Sequence, residues 1–472
     1  MPEYVKRNTL AIVTCALLIF LSVTARMWFA QSELWYDEIL SVILSERIVH
    51  PLGVFTQIHH DNSHYFNTIF LRFLGYDSSY IAYHSLSLLF GALLQIVASI
   101  YAFRRSTTEG VIFTVMTTCS FFLFLYGWQA RGYAPMLFFG LLSYYFLSEY
   151  LAHPRLLLAI GYGLSACIAL LWHLTFLHFL LGFFLWSAFV LRRNCERKDM
   201  VIHLLHCFLL PILLLLVLYV TDIRVMEIGG GEKKSLDLIL QSILTASIGF
   251  PREGTAASML LSFIVLCAII AAVERRMHAS QDDALLFILV LFVVPIISLI
   301  CLQPSFVYPR YFLPNLFFLI VLYARTATDM YGKGGHYKVA SVAFVALYCV
   351  GNVATIASYA PLVSGGHVPT LSYIAEHSND SAIFVGSTSD VHNSSILYFY
   401  SKRLAQDFRY VSREEAVANP PRWYLQDKSA FAIVQTPQLA ANGVMYCLDS
   451  SLPQKGHRWA LYARCDAKSQ AS

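Results

Sequence analysis

Long apolar segments dominate the sequence and constrain its fold more than any other feature. Eleven stretches approach the roughly 20 residues that an α-helix needs to cross a bilayer. They are residues 9–29, 80–103, 111–126, 133–151, 156–172, 175–191, 203–220, 258–273, 285–301, 311–324 and 339–359. With 57% hydrophobic and 13% charged residues, the chain is too apolar for a soluble globular protein. The sequence therefore predicts a polytopic α-helical membrane protein with about eleven transmembrane helices.

The first apolar segment has two interpretations. Lys6 and Arg7 precede it, and Val23-Thr-Ala25 offers small residues at which a signal peptidase cleaves. A retained helix is the preferred interpretation, because the segment is long and an acidic stretch follows it directly.

Basic residues mark alternate connections between the apolar segments. Those connections carry Lys6, Arg7, Arg104, Arg105, Arg155, Arg192, Arg193, Arg197, Lys198, Arg275, Arg276, Arg325, Lys333 and Lys338. By the positive-inside rule this side is cytoplasmic, together with the N-terminus. The sequence therefore predicts a multi-pass protein of a bacterial inner (plasma) membrane. The loop after the first segment and everything after Tyr359 are expected on the periplasmic face.

The composition changes near residue 360, which predicts two domains. Residues 1–360 form the transmembrane domain, with amphipathic periplasmic helices in the loop 32–79, and residues 361–472 form a small periplasmic α/β domain. Within the latter, strands are expected at 381–385, 430–435 and 459–463, and helices at 371–377 and 393–402. Cys447 and Cys465 are the only cysteines there, so an oxidising compartment favours a disulfide between them.

Two acids, Asp37 and Glu38, follow the first apolar segment within a few residues. Ionisable groups beside a bilayer are functional by default, and a carboxylate here is a candidate general base. The structural alternative is that Asp37 only caps the following helix, since a carboxylate accepts hydrogen bonds from the first backbone N–H groups.

Three further motifs lie in segments assigned to the same outward face. They are Asp61-Asn-Ser-His64, Gln129-Ala-Arg-Gly-Tyr133 and Pro309-Arg-Tyr-Phe-Leu-Pro314. Together with the Trp35-Tyr-Asp-Glu38 stretch, their order and common face resemble the spaced signatures of GT-C glycosyltransferases. The resemblance is to the bacterial branch akin to protein O-mannosyltransferases and the lipid A aminoarabinose transferase. It covers most of the membrane region and the C-terminal domain only loosely.

The resemblance implies an enzyme that uses a polyprenyl-phosphate sugar as donor and works on the periplasmic face. Asp37 matches the family's general base, which takes the acceptor proton as the bond between the sugar C1 and the phosphate oxygen breaks. Glu38 is the second catalytic candidate and alternatively orients the loop. Direct displacement with one base inverts the anomeric carbon.

The departing polyprenyl phosphate gains negative charge, which a cation at the interface stabilises. Arg131 and Arg310 are the candidates, and Tyr133 and Tyr311 are expected to add hydrogen bonds. The alternative is that both arginines only reach from helix ends to lipid headgroups.

The second motif supplies the predicted substrate-binding residues Asp61 and His64. The sequence departs from many relatives immediately after it, because Tyr65-Phe66 stands where they carry a proline pair.

Because the leaving group is a phosphate monoester, no cofactor is expected to be obligatory and no metal site is predicted. A divalent cation between Asp37, Asp61 and His64 is the alternative. The expected partners are the polyprenyl-phosphate sugar, a lipid, glycan or protein acceptor, and membrane lipids, with no nucleic acid.

Two other classes of function remain open. A transporter or flippase of lipid-linked sugar would need polar or charged residues within the crossings and internal repeats. The sequence shows no internal repeat, and the candidate acids lie in loops rather than mid-membrane. A surface polysaccharide polymerase or ligase is expected to carry its largest loop late in the chain, whereas here the long acidic loop comes first.

Overall fold

A computed structural model of the chain describes residues 9–230, 234–302, 307–363, 366–427, 437–449 and 459–465. Two compact units result from the packing of the chain. The first comprises Met1–Met27, His59–Asn67 and His84–Ala357. The second comprises Trp28–Ile58, Thr68–Tyr83 and Ser358–Ser472, so loop segments from the N-terminal part pack with the C-terminal segment. The boundary between two domains that the sequence predicts near residue 360 stays a prediction.

Helices dominate the described residues. In chain order they are α1 (Thr9–Phe29), α2 (Tyr36–Glu46), α3 (Tyr65–Leu74), α4 (Tyr80–Arg105), α5 (Thr107–Cys119), α6 (Phe121–Tyr126), α7 (Tyr133–Ala152), α8 (Leu156–Trp172), α9 (Leu177–Asn194), α10 (Arg197–Thr221), α11 (Leu236–Ala246), α12 (Ala256–Ala279), α13 (Gln281–Ile288), α14 (Val294–Leu302), α15 (Leu313–Lys333), α16 (Gly335–Val363), α17 (His367–Glu376), α18 (Asp390–Leu404) and α19 (Arg413–Ala418).

All eleven predicted apolar segments are helical in the described residues. Eight helical segments there are long and apolar enough to cross a membrane, and Leu156–Trp172 and Leu236–Ala246 are shorter apolar helices. The polytopic helical architecture is thus confirmed, whereas eleven crossings remain a prediction.

The predicted segment 111–126 divides into two helices at Ser120. The Ser120 hydroxyl accepts a hydrogen bond from Leu123 N (3.4 Å), and the side-chain oxygen of Asn352 accepts one from Phe121 N (2.8 Å). These acceptors satisfy backbone groups that a new helix start leaves without intrahelical partners. Apolarity alone gives no sign of this break.

Aromatic side chains fill part of the interior of the first unit. The ring of Phe179 lies 5.4 Å from that of Phe183 and 5.3 Å from that of Phe318, measured between ring centres. Tyr144 packs edge-on against Phe318 at 5.6 Å. These contacts join α7, α9 and α15, whose ends carry several of the residues described below.

A six-stranded mixed sheet organises the second unit. Its strands are β1 (Ala382–Ser387), β2 (Asp407–Tyr410), β3 (Trp423–Asp427), β4 (Gln438–Ala441), β5 (Val444–Leu448) and β6 (Trp459–Arg464). They are arranged in the order β2-β1-β3-β6-β5-β4. β1 runs parallel to β2 and β3, and the remaining pairs are antiparallel.

This sheet confirms the expected α/β character of the C-terminal segment. β1 and β6 match the strands expected at 381–385 and 459–463, and α17 and α18 match the helices expected at 371–377 and 393–402. The strand expected at 430–435 lies outside the described residues. The predicted disulfide between Cys447 and Cys465 is present.

A buried carboxylate joins the N-terminal loop to the C-terminal segment within the second unit. Glu33 is 7% exposed and accepts hydrogen bonds from His367 N (2.8 Å) and Val368 N (3.1 Å). These are the first residues of α17, whose N-terminus favours negative charge. Glu33 therefore satisfies the helix start.

Further polar contacts support the same loop segments. Glu46 accepts hydrogen bonds from the hydroxyls of Tyr76 (2.9 Å) and Tyr398 (2.9 Å). The Arg403 guanidinium donates to the carbonyls of Tyr76 (2.7 Å) and Ser78 (2.8 Å). The second unit is thus held by charged groups whose hydrogen bonds are made within it.

Candidate active site

The Asp61–His64 segment is anchored from both ends by one buried acid, Asp222. Its carboxylate lies 2.8 Å from His59 Nδ1 and accepts a hydrogen bond from the Tyr65 hydroxyl (2.7 Å). Asp222 is 1% exposed and follows the end of α10. Because the two contacts flank the motif, Asp222 fixes its position in the first unit.

The chain after α10 pairs with the same segment. Asp61 N donates to Glu227 O (3.0 Å) and Glu227 N donates to His59 O (2.8 Å), forming a parallel bridge. Gly229 N then donates to Asp61 Oδ1 (3.1 Å). A Cβ at position 229 would lie only 3.2 Å from that oxygen. Glycine therefore permits this close approach.

These contacts determine the charge state of Asp61. Burial by itself raises the pKa of this carboxyl, but the hydrogen bonds from His60 and Gly229 and the nearby Arg131 charge together hold the pKa below its ordinary value. Asp61 is therefore ionised at neutral pH and accepts hydrogen bonds.

Arg131 lies in the turn that leads into α7 and faces the same segment. Its guanidinium donates to the side-chain oxygen of Asn62, and it is 5% exposed. The side-chain amide of Asn67 donates to Ala130 O (3.1 Å). The turn is thus fixed against the segment that carries Asp61 and His64.

Close packing of two backbones requires a glycine at position 132 of this turn. A Cβ at this position would lie 1.8 Å from the carbonyl oxygen of Trp172, which no side chain tolerates. The absence of a side chain brings the start of α7 against the end of α8. It also brings His173, which follows Trp172, towards Tyr133.

Three rings then lie in a continuous row. His173 lies between His64 and Tyr133, with ring centres 4.1 Å from each. His64 and Tyr133 are 6.2 Å apart. All three side chains are buried. His64 and Tyr133, which are both predicted site residues, are thus joined by His173, which was not predicted.

Hydrogen bonding fixes the tautomer of His173. The Thr175 backbone N–H lies 3.1 Å from His173 Nδ1, and because that group can only donate, Nδ1 is an acceptor. In the neutral ring the proton is therefore on Nε2. Among the described residues Nε2 is buried and has no hydrogen-bond partner. His173 thus offers a donor to a ligand.

Both histidines are held in the neutral form. Burial, followed by the charges of Arg131 and Arg310, lowers the pKa of His173 well below its ordinary value. Burial, followed by His173 and the same two arginines, has the same effect on His64. Protonation would place a further positive charge beside two guanidinium groups.

Arg310 completes this cluster from a different part of the chain. It lies in the short helical turn Pro309–Phe312 that precedes α15. Its guanidinium carbon is 4.7 Å from the Tyr308 ring centre and 5.7 Å from that of Tyr311. The Arg310 charge contributes with that of Arg131 to the lowered pKa of both histidines.

The first unit therefore brings together six of the eight predicted site residues. They are Asp61, His64, Arg131, Tyr133, Arg310 and Tyr311. Their segments are separated in the sequence but share the outward face that the loop charges predict. We call this set, with His173, the arginine–histidine cluster.

Asp37 and Glu38 belong to the second unit, in the first turn of α2. Glu38 is 1% exposed, and its carboxylate accepts a hydrogen bond from Trp35 N (2.7 Å). Glu38 thus reaches back to the helix start. This contact favours the alternative in which Glu38 orients the loop.

Sequence reasoning missed His173 and Asp222. Each is a polar residue at the end of a long apolar segment. His173 lies between Trp172 and Leu174, and Asp222 follows Thr221. An ionisable residue at such a position is a signal that could have found them. Their partners are distant in sequence, so their roles were not visible.

The cluster has the chemistry of an anion site. Two guanidinium groups, neutral imidazole N–H groups and tyrosine hydroxyls are all donors suited to phosphate oxygens. Within the described residues no group of three His, Cys, Asp or Glu side chains is placed to hold a metal ion. The guanidinium, imidazole and hydroxyl donors suit a phosphate bound by side chains.

Comparison with solved structures identifies the architecture. The crystal structure of ArnT from Cupriavidus metallidurans in the apo state aligns over 97% of this chain and 98% of its own, with a TM-score of 0.51 and 11% sequence identity. The two chains share the GT-C fold. ArnT bound to undecaprenyl phosphate aligns over the same shares with a TM-score of 0.46 and 11% identity. No family model matches the sequence, and no curated protein is significantly similar to it.

The fold common to this chain and apo ArnT confirms the GT-C resemblance at the level of architecture. At 11% identity, it carries no residue roles from one protein to the other.

Proposed function

We propose that this protein is an integral membrane glycosyltransferase that transfers a sugar from a polyprenyl-phosphate donor to a cell-envelope acceptor. The acceptor is a lipid, a glycan or a protein. The enzyme works on the periplasmic face of a bacterial inner membrane, with the N-terminus cytoplasmic and the second unit periplasmic. The observation that carries the proposal is the arginine–histidine cluster in a chain with the GT-C fold.

The cluster supports phosphate as the group that is bound. One carboxylate, Asp61, belongs to the cluster, whereas Arg131 and Arg310 contribute two positive charges. As the bond between the sugar C1 and the phosphate oxygen breaks, the phosphate gains negative charge. Two fixed guanidinium groups stabilise that charge more in the transition state than in the bound donor.

His173 is the additional phosphate ligand in this proposal. Its Nε2–H has no protein partner among the described residues and lies beside His64 and Tyr133. A neutral donor can bind phosphate without titrating as the reaction proceeds. Tyr133 and Tyr311 add hydroxyl donors to the same anion.

Asp37 is the proposed general base on the strength of the sequence resemblance. It takes the proton of the acceptor hydroxyl while the acceptor oxygen forms its bond to C1 and the electrons of the C1–O bond leave with the phosphate. The anomeric carbon is inverted. Glu38 holds the start of α2, and ionised Asp61 with His64 positions sugar hydroxyls.

The transport alternative is less well supported. A flippase needs polar groups along a path through the membrane, whereas the cluster gathers segments that are predicted to lie at one face. No feature of the described residues favours the function of a polysaccharide polymerase or ligase over the transfer of a single sugar. No cofactor is proposed as obligatory, and a loss of activity on chelation would show that a divalent cation is needed.

The test is transfer of radiolabelled sugar from a panel of polyprenyl-phosphate donors to cell-envelope acceptors by purified protein. We expect Arg131→Ala and Arg310→Ala each to lower kcat by about 10²–10³-fold. Asp37→Asn keeps the side-chain shape, removes the base and should lower kcat by about a hundredfold or more.

Arg193→Ala is the matched control, because Arg193 forms an exposed ion pair with Asp282 and should leave transfer unchanged. If wild-type protein transfers no sugar but moves lipid-linked sugar across liposomes, the transferase proposal is wrong. Full activity of Asp37→Asn would remove Asp37 from the role of base and leave the phosphate site standing.

A further inference from the structure

The second unit contains a groove that the reaction proposed above does not use. It has a volume of about 680 Å³ and lies along β1, β2 and the start of β3, with α19 and the turn before β3 on its border. This volume is within the roughly 300–1,000 Å³ of small-molecule sites. All its lining residues belong to the second unit.

Two aromatic rings in the groove each lie beside an arginine. Phe384 of β1 pairs in register with Arg409 of β2, so their side chains share one face of the sheet. The Arg409 guanidinium carbon is 6.0 Å from the Phe384 ring centre. Arg422 lies 4.9 Å from the ring centre of Trp423. Phe384 is nevertheless 50% exposed, which leaves a ring surface open.

Acidic side chains balance these cations. Asp380 and Glu415 line the groove with Arg409 and Arg422, which gives two acids and two bases. Ser378, also in the lining, accepts a hydrogen bond from Trp423 Nε1 (2.9 Å). An open aromatic face is thus surrounded by both donors and acceptors.

This combination fits a sugar better than other ligands. A pyranose ring places C–H groups on a face that covers an aromatic ring, and hydroxyl groups at its edge both donate and accept. A polyanion or a metal cation would meet charges of its own sign. A peptide adding to the edge strand β2 would meet the charged pair Asp407 and Arg409, which discourages pairing.

We propose that this groove binds an oligosaccharide of the cell envelope, with Phe384 as the stacking surface and Arg409 as a hydroxyl ligand. The proposal stands on the groove alone and does not require the transfer reaction. It gives the second unit a recognition function.

The test uses the full-length protein in lipid nanodiscs on an array of bacterial envelope oligosaccharides without polyprenyl phosphate. The glycan that binds most strongly is then titrated in solution. We expect Phe384→Ala and Arg409→Ala each to weaken its affinity by about tenfold. Arg409→Lys should recover part of the loss, because Lys keeps the charge and loses the planar donor fork.

Val391→Ala is the matched control, because Val391 is 71% exposed in the same unit and outside the groove. Arg131→Ala should bind the glycan normally, which separates this site from the arginine–histidine cluster. Thermal unfolding checks that each variant is folded. The proposal fails if no array member binds below about 1 mM, or if the two groove variants bind as wild type does.

Discussion

The two units use buried polar groups in different ways. In the second unit Glu33 is occupied by the backbone N–H groups of α17. In the first unit Arg131 and Arg310 act together on two neutral histidines, one of which has a buried nitrogen without a protein partner in the described residues. Buried polar groups are normally satisfied within the fold. Glu33 is thus a structural group of the second unit, whereas His173 keeps a donor that the proposed phosphate site of the first unit uses.

The comparison predicts its largest effect at His173. His173→Phe keeps a ring between His64 and Tyr133 but removes the Nε2–H donor. Loss of one donor to a developing anion should lower kcat for sugar transfer by about a hundredfold. Stability should fall by only about 1 kcal/mol, because Thr175 N–H loses its acceptor.

Transfer kinetics and thermal unfolding measure these two changes. His153→Phe is the control. His153 is exposed and directly follows α7, at the end of that helix opposite Tyr133. Equal loss of activity in both variants would mean that His173 has no special role. A large loss of stability without a change in kcat would make it a structural residue like Glu33.

Glu33 should show the opposite behaviour. Burial raises the pKa of Glu33. The His367 side chain and the N–H groups of His367 and Val368 lower this pKa by more than burial raises it, so the folded-state pKa is below the ordinary value of 4.5. The stabilisation is present above pH 4.5 and is lost as the pH falls through the lower folded-state pKa. Glu33→Gln should cost about 1–3 kcal/mol at neutral pH.

Denaturant unfolding between pH 7 and about 3 measures this loss. The variant should lose less stability on acidification than wild type, and the two curves should converge. Glu376→Gln, which alters an exposed acid of the same helix, should follow the wild-type curve. Unchanged stability of Glu33→Gln would show that this buried carboxylate is not a structural group.

The smallest effect is expected at Gly229, where the loop after α10 contacts Asp61 of the cluster. Gly229→Ala places a Cβ 3.2 Å from Asp61 Oδ1 and should displace that carboxylate slightly. Transfer should slow about two- to fivefold. Gly230→Ala is a neighbouring control, because a Cβ there has no heavy atom within 4 Å. If both variants behave alike, the position of Asp61 does not limit the reaction.

The apolar segments and the change of composition near residue 360 were sufficient to predict the architecture. Hydrophobic runs of bilayer length leave few alternatives to a helical bundle, and the strands at β1 and β6 had a clear β pattern. The break at Ser120 was not predictable, because its acceptor comes from Asn352 in a different helix. The packing of the loop segments against α17 and α18 was hidden for the same reason.

Within the site, Arg131 and Arg310 are candidates chosen from their motifs and from their positions at the ends of apolar segments. A membrane-embedded helical chain with basic and acidic groups at the helix ends follows from local composition alone. The contacts of His173 with His64 and Tyr133, and of Asp222 with the residues flanking the Asp61 segment, appear only in the folded chain. Such contacts depend on close approach of distant backbones, as at Gly132 and Trp172, which local sequence does not encode.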